Sequence, residues 1–194
     1  MFTQQFRPAA SLLVAMTLIL GLAYPFALTG ISRLVFAQQA EGSLIRDGER
    51  VIGSRLIGQA FSDPKYFWGR PSATSPQPYN GIASGGSNLG PLNPALLDQV
   101  QASARALRDA DPTAPQPVPV DLVSASASGL DPEISPAAAA YQIPRVAQAR
   151  GLTVAQVQAL VRAHQQDPLL GFIGEARINV LELNLALDSL HRAQ

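Results

Sequence analysis

The sequence predicts a single N-terminal transmembrane helix followed by one soluble α/β (α+β) domain that is richer in helix than in strand. Three observations support this fold class. No charged residue occurs from Pro8 to Ser32, an Asp-Gly pair at 47–48 separates two short apolar runs, and Ser, Thr or Asn residues precede several helical patterns. A chain of 194 residues has room for one domain of ordinary size beside such an anchor.

The uncharged run has 25 residues, and about 20 apolar residues are enough to span a bilayer. Its centre, residues 11–23, is apolar on every side, whereas a helix of a soluble domain usually keeps a polar stripe. Tyr24 and Phe26 lie towards its far end, where aromatic rings favour the membrane interface. Pro25 is expected to kink the helix or to mark its last turn. The predicted boundaries are a short tail at 1–8, the transmembrane helix at 9–31 and the soluble domain at 32–194.

A cleaved signal peptide is the alternative to a retained anchor, because Val35-Phe36-Ala37 resembles a signal-peptidase site. The apolar run is longer than the roughly 7–15 residues usual for the core of a signal peptide, which favours the anchor. Charge does not orient the helix. Arg7 precedes it, whereas Arg33, Arg46 and Arg50 follow it, so the positive-inside rule gives no support for a cytoplasmic N-terminus.

The composition excludes several classes of protein. The formal net charge is +0 and the basic residues are scattered, so the chain lacks the basic face that nucleic-acid binding needs. Cysteine is absent, which excludes a disulfide framework, a thiolate metal site and a cysteine nucleophile. The two histidines, His164 and His191, are far apart in the sequence, which argues against a transition-metal site.

The first part of the soluble domain is predicted to be a β-hairpin followed by a long loop. Residues 43–53 form the hairpin, with its turn at Asp47-Gly48, because Asp-Gly supplies the positive φ angles of a tight turn. Residues 55–61 are predicted to form a further short strand. Residues 62–94 are dense in Pro, Gly, Ser and Asn, and loops of such length are usually functional or disordered. Its aromatic residues predict a packed, ordered loop: Tyr66, Phe67, Trp68 and Tyr79.

The rest of the domain is predicted to be mainly helical. Asn93, Ser135 and Thr153 are read as N-caps, two of them followed by proline in the tolerated first position. Asp131-Pro132 resembles a further cap. The predicted helices are 94–108, 136–150 with an interruption or kink at Pro144, 154–164 and 178–190, and a short strand is expected at 118–123.

The apolar spacing indicates which helix faces are buried. The expected buried positions are Leu97, Val100 and Ala104 in the first helix and Val154, Val157, Leu160 and Val161 in the third. The last segment is ambiguous because its alternating leucines also fit a strand. Asn179 followed by Glu182 resembles a capping box, which favours a helix.

Two motifs are candidates for chemical sites. Ser62-Asp-Pro-Lys65 matches the Ser-x-x-Lys of penicillin-recognising enzymes, but Pro64 disfavours helical geometry at Asp63 and the companion motifs are absent. The glycine-rich residues 81–90 offer backbone amides for a phosphate, yet they lack the P-loop and dinucleotide patterns, so a role in loop shape is favoured. His164 near a helix end is expected to be a surface or capping residue. The sequence therefore nominates no catalytic residue, no cofactor ligand and no metal ligand.

Longer motifs resemble a known family. They occur in the order that is typical of this family, and together they cover almost the whole chain. The motifs are Tyr66-Phe-Trp-Gly-Arg-Pro-Ser-Ala73, Ala83-Ser-Gly-Gly-Ser-Asn-Leu-Gly-Pro91, residues 121–136, Tyr141-Gln-Ile-Pro-Arg145, Gly171-Phe-Ile-Gly-Glu175 and residues 179–188. Together with the anchor, they resemble the C subunit of the Kdp potassium-transporting P-type ATPase, a bacterial complex for ATP-driven potassium uptake.

The resemblance implies a non-catalytic accessory subunit of the bacterial inner membrane, with its soluble domain in the periplasm. It implies a channel-like A subunit that binds potassium, a B subunit that hydrolyses ATP and a small F subunit as partners. It also implies ATP as a ligand, although ATP is scarce outside the cytoplasm. Two alternatives remain open from the residues: a membrane-anchored hydrolase built on Ser62 and Lys65, and a secreted binding protein released at Ala37.

Overall fold

The computed structural model describes residues 2–114 and 117–192, and the chain divides into two compact units, Met1–Leu44 and Ile45–Gln194. The first unit is helical. Its elements are α1 (Phe2–Leu18), a π-helical turn (Ile19–Ala23), α2 (Tyr24–Val35) and the short α3 (Ala37–Ala40). Pro25 does not mark the last turn of the helix, because α2 continues to Val35. The π turn ends at Ala23, two residues before Pro25, and the missing proline amide interrupts the hydrogen-bond ladder of the preceding turn.

The predicted hairpin follows along the chain and is formed by β1 (Leu44–Asp47) and β2 (Arg50–Ser54). The hairpin is confirmed, but its turn residues are Gly48 and Glu49 rather than Asp47 and Gly48, and Gly48 has a φ of 60°. Glycine at the first central position suits a two-residue hairpin turn whose positive φ falls there.

The strand predicted at 55–61 is wrong. Only an isolated bridge joins Ser54 to Ile57, and the Gly58 amide donates instead to the Leu130 carbonyl at 2.9 Å. Residues 58–93 then contain no helix or strand.

Four helices follow, and the predicted caps start three of them. Asn93 accepts from the Ala95 amide at 3.0 Å, Ser135 accepts from the Ala138 amide at 3.0 Å, and Thr153 forms a full capping box with Gln156. The helices are α4 (Pro94–Ala110), α5 (Pro136–Arg150), α6 (Val154–Ala163) and α7 (Val180–Arg192). The predicted helix at the end of the chain is confirmed as α7, and the Asn179 side chain accepts from the Glu182 amide at 3.1 Å.

Two expectations in this region are wrong, and a third is wrong in part. Asp131-Pro132 caps no helix, because the Asp131 carboxylate accepts from the Glu133 amide in a local turn. Residues 118–123 contain a 3₁₀ turn (Val120–Leu122) instead of a strand, and Asp121 accepts from the Ser135 amide at 2.7 Å. Helix α5 continues through Pro144, so the predicted interruption does not occur, and the kink stays a prediction, since proline inside a helix removes one backbone hydrogen bond.

A small antiparallel sheet, which the sequence did not predict, completes the domain. Its strands are β3 (Glu133–Ile134), β4 (Gln165–Gln166) and β5 (Arg177–Asn179), in the order β3-β5-β4. Antiparallel pairing makes the domain α+β. The largest buried apolar side chains of its core lie on the 62–93 loop, α5, α6, β5 and α7 and are Phe67, Val146, Val157, Ile178, Leu183 and Leu187.

Two of the predicted core positions are exposed, and three others, Val100, Ala104 and Leu160, are only half-buried. Leu97 is 58% exposed and Val154 is 52% exposed. In α4 the side chain that reaches the core is Leu107, near the C-terminal end, and in α6 the buried residues are Val157 and Val161. Both exposed residues lie in the first turn of their helix, before the helix enters the core.

Candidate functional site

The first candidate surface is the N-terminal helix. Residues Gln4–Val35 form 32 helical residues; their most apolar 18-residue window has a mean hydropathy of 2.0, and none of that window is buried. At 1.5 Å per residue the helix is about 48 Å long, against a hydrocarbon core of about 30 Å. Its exposed apolar side chains point in all directions, for example Leu12, Leu13, Leu20 and Phe26. By length and composition this helix is able to cross a membrane.

The second candidate lies inside the soluble domain, where two side-chain amides pair with loop backbone. The Phe67 amide donates to Asn184 Oδ1 at 2.8 Å, and Asn184 Nδ2 donates to the Phe67 carbonyl at 2.9 Å. The Trp68 amide donates to Gln142 Oε1 at 2.8 Å, and Gln142 Nε2 donates to the Trp68 carbonyl at 3.1 Å. Each amide thus makes the two hydrogen bonds that a neighbouring β-strand residue would make.

Arg145 completes this group, which we call the amide clamp (Gln142, Arg145 and Asn184, bound to loop residues 64–68). Arg145 donates to Gln142 Oε1 at 2.7 Å and to the Tyr66 carbonyl at 3.1 Å. Its guanidinium lies 4.4 Å from the centroid of the Trp68 ring, a cation–π contact. Burial lowers the pKa of Arg145 to about 10, so the group stays protonated at neutral pH.

A partly exposed ion pair continues the clamp towards the surface. Arg150 lies 2.8 Å from Asp188, and Asp188 also accepts from the Tyr66 hydroxyl at 3.0 Å. The Arg150 guanidinium lies 4.8 Å from the Tyr66 ring centroid and donates to the Lys65 carbonyl. Three motifs that are far apart in the sequence therefore meet here: 66–73, 141–145 and 179–188.

The rest of the long loop packs on residues 124–131. Arg70 forms an ion pair with Asp131 at 3.1 Å, and the Ser72 hydroxyl donates to the Gly129 carbonyl at 2.7 Å. The Tyr79 hydroxyl donates to the Arg70 carbonyl. Burial raises the pKa of Tyr79 to about 12, and the nearby Asp131 carboxylate adds to the shift.

The glycine-rich residues 81–90 serve loop packing in this structure. The Gly85 amide donates to the Ser128 carbonyl at 2.8 Å, so it is not free for a phosphate. A Cβ added to Gly86 would lie 2.9 Å from the Ala127 carbonyl oxygen, whereas a Cβ on Gly85 would meet nothing within 4 Å. Gly86 is therefore required for close backbone approach, and Gly85 is not.

The Ser-x-x-Lys motif lacks the geometry of an activated serine. Residues 62–65 lie in a loop and not at a helix start. The Lys65 ammonium lies 3.1 Å from the Asp63 carboxylate, and the hydrogen bond to Asp63 raises the pKa of Lys65. A lysine that removes a proton from serine needs a lowered pKa. The shift at Lys65 is in the opposite direction.

A charged cleft of about 410 Å³ lies beside the sheet. Two of its carboxylates form ion pairs: Asp131 with Arg70, and Glu133 with Arg177 at 3.0 Å. A third, Asp121, accepts from the Ser135 amide, and the fourth, Glu175, is exposed. Within residues 2–114 and 117–192, no three His, Asp or Glu side chains come close enough to hold a metal ion. His164 ends α6, where its Nδ1 lies 3.0 Å from the Leu160 carbonyl oxygen, as expected for a capping residue. The side chain of His191 lies outside the described part of the chain.

Sequence reasoning did not identify the amide clamp. A signal was present, because Gln142 stands between apolar residues of α5 and Asn184 stands between leucines of α7. A buried amide needs hydrogen-bond partners, and its position on an apolar face marks it as buried. The partner could not be read from the sequence, since it is the backbone of a loop more than 70 residues away.

Comparison with known proteins identifies the family. The family model described as KdpC, the c chain of the K+-transporting ATPase, matches residues 6–189. The chain is 62% identical over 183 residues to the potassium-transporting ATPase KdpC subunit of Variovorax paradoxus (strain S110), covering 94% of this chain and 95% of the relative. It is 63% identical over 185 residues to the protein of the same name from Polaromonas naphthalenivorans (strain CJ2), covering 95% and 94%. The resemblance seen in the motifs is thereby confirmed, and the chain belongs to the KdpC family of K+-transporting ATPase c chains.

Proposed function

We propose that this chain is a non-catalytic accessory subunit that supports the assembly of an ATP-driven potassium import complex and its use of ATP. The observation that carries the proposal is the family match at residues 6–189, which includes the apolar helix as well as the soluble domain. The buried polar groups of the amide clamp bind each other and loop backbone, so they hold shape and are not presented to a substrate.

The proposed partners are a channel-like A subunit that binds potassium, an ATP-hydrolysing B subunit and a small F subunit. The chain itself has one candidate span among its described residues, and one helix cannot enclose a pore. Residues 9–31 are proposed to cross the bilayer and to pack against helices of these subunits. In lipid, such packing depends on close van der Waals contact between helices.

We place the soluble domain, residues 32–194, in the periplasm of a bacterial inner membrane, with residues 1–8 on the cytoplasmic side. ATP is scarce in the periplasm, so the support of ATP use is proposed to pass through contacts with the B subunit rather than through nucleotide held by this domain. No residue is nominated for ATP, and no tightly bound cofactor is proposed. A reporter fused to the C-terminus, active only outside the cytoplasm, tests this placement.

The long loop is proposed to be ordered and to form part of the rigid surface of the domain. Its hydrogen bonds support this: the clamp holds residues 64–68, and the Ser72 and Gly85 contacts hold the part that follows. Solvent exchange of the Phe67 and Trp68 amides tests it. Protection as strong as that of the α5 amides is expected, and free exchange would contradict an ordered loop.

The decisive experiment is purification of the tagged chain from native membranes at its natural level. A channel-like chain and an ATP-hydrolysing chain should copurify with it, and the intact mass should retain the N-terminal helix. Recovery of the chain alone would contradict the proposal. A mass beginning after Ala37 would favour the secreted binding protein. Ester or β-lactam hydrolysis that Ser62→Ala abolishes would favour the hydrolase.

A further inference from the structure

A β-hairpin in the soluble domain ends in an exposed apolar tip. Strand β4 pairs with β5, and a further bridge joins Leu169 to Ile173 beyond the sheet. Residues 168–174, which we call the apolar tip, form the end of the hairpin that connects β4 to β5. Their exposed fractions are 67% for Leu169, 76% for Leu170, 76% for Phe172 and 49% for Ile173. Hairpin turns are normally polar, and a run of exposed apolar residues needs a functional reason.

The backbone holds this tip in one conformation. The Leu169 and Ile173 amides each donate to the other residue's carbonyl at 2.9 Å, and the Gly171 amide donates to Pro168 at 2.9 Å. Leu170 has a φ of 56°, a left-handed conformation that is unfavourable for leucine. Such local strain is kept where the surrounding structure enforces it, and it often marks a binding site. The tip is therefore preorganised, which lowers the entropic cost of binding.

The charges around the tip indicate which kind of surface would cover it. Asp167 and Glu175, one at each side of the tip, are exposed carboxylates and are the charged side chains nearest to it in the sequence. The next basic residues are Arg162 and Arg177, and Arg177 is already paired with Glu133 at 3.0 Å. Segments that insert into the membrane interface usually carry Lys or Arg beside their apolar face, and an anionic lipid surface repels carboxylates. A two-fold contact between copies would place the same carboxylates against each other. Both arrangements are disfavoured.

We propose that the apolar tip docks into an apolar pocket of another protein chain of the transport complex, with Lys, Arg or amide donors at the rim of that pocket to match Asp167 and Glu175. This inference rests on the proposed function, because it requires that the chain works in a complex. Apolar side chains would fill the pocket, and the carboxylates would fix orientation and exclude wrong partners.

The test uses the absence of cysteine, which makes an introduced cysteine the only thiol of the chain. Phe172→Cys and, at the rim, Glu175→Cys are labelled with a benzophenone maleimide in the purified complex and irradiated. The control is Val154→Cys, an exposed apolar residue on α6. We expect adducts with another chain of the complex at least tenfold above the control at both tip positions.

Charge insertion provides the second measurement. Phe172→Glu should lower recovery of the other chains at least tenfold, with urea unfolding of the variant unchanged, whereas Val154→Glu should leave recovery unchanged. Adducts with lipid alone, adducts with a second copy alone, or no adduct above the control in an intact complex would each overturn the inference. If the unmodified chain purifies alone, the proposed function fails first, and this inference fails with it.

Discussion

Replacing Asn184 by leucine tests whether the amide clamp stabilises the fold. Asn184 is 1% exposed and pairs with both the amide and the carbonyl of Phe67, which is itself fully buried. Leucine has a similar shape but cannot form either hydrogen bond, so one backbone donor and one acceptor are left buried without partners. Each such group costs about 1–3 kcal/mol. Leucine moves from water into the protein interior more favourably than asparagine does, which offsets part of this cost. We therefore expect a loss of about 2–5 kcal/mol in the free energy of unfolding.

Urea unfolding of the full chain in detergent, followed by the fluorescence of Trp68, measures this loss. Trp68 is the only tryptophan and its own amide binds Gln142, so its signal reports on the clamp directly. The matched control is Gln158→Leu on the exposed face of α6, which should change stability by less than about 0.5 kcal/mol. If Asn184→Leu lowered stability no more than this control, the pairing with Phe67 would not be what holds the loop.

Two further predictions concern the loop. Gly86→Ala should lower stability by about 1–3 kcal/mol, because its Cβ would meet the Ala127 carbonyl oxygen. A Cβ at Gly85 would meet open space, so Gly85→Ala should leave stability unchanged in the same urea assay. Equal losses of stability in the two variants would contradict the close approach of Gly86 to Ala127. Burial raises the pKa of Tyr79 from 10.0 to about 12, because the folded state favours the protonated hydroxyl. The contribution of Tyr79 to the free energy of unfolding is therefore complete below pH 10 and is lost as the pH rises to 12. Tyr79→Phe should therefore show a smaller fall in stability from pH 9 to 12, and an identical fall would contradict this.

Local signals in the sequence were enough to predict the hairpin and the starts of the helices. Asn93, Ser135 and Thr153 each cap a helix through their own side chain, and a cap is a contact between residues only two or three positions apart. The hairpin was predicted for the same reason, although its turn lies one residue later than expected, with Gly48 at the first central position.

The three-stranded sheet and the clamp depend on distant contacts, which is why the sequence did not predict them. Strands of two or three residues, such as Glu133–Ile134, are too short to show an alternating pattern. The error at residues 118–123 has a related cause. The alternation there resembles a strand, but Asp121 turns inward to accept from the Ser135 amide, 14 positions away.

The polar and the apolar features of the chain indicate different roles. Gln142, Arg145 and Asn184 direct their hydrogen-bonding groups inward, to loop backbone and to each other. Runs of exposed apolar side chains lie instead on the helix Gln4–Val35 and on the tip at 168–174. Changes to the clamp should therefore lower stability first, while changes to the tip should lower partner recovery without loss of stability.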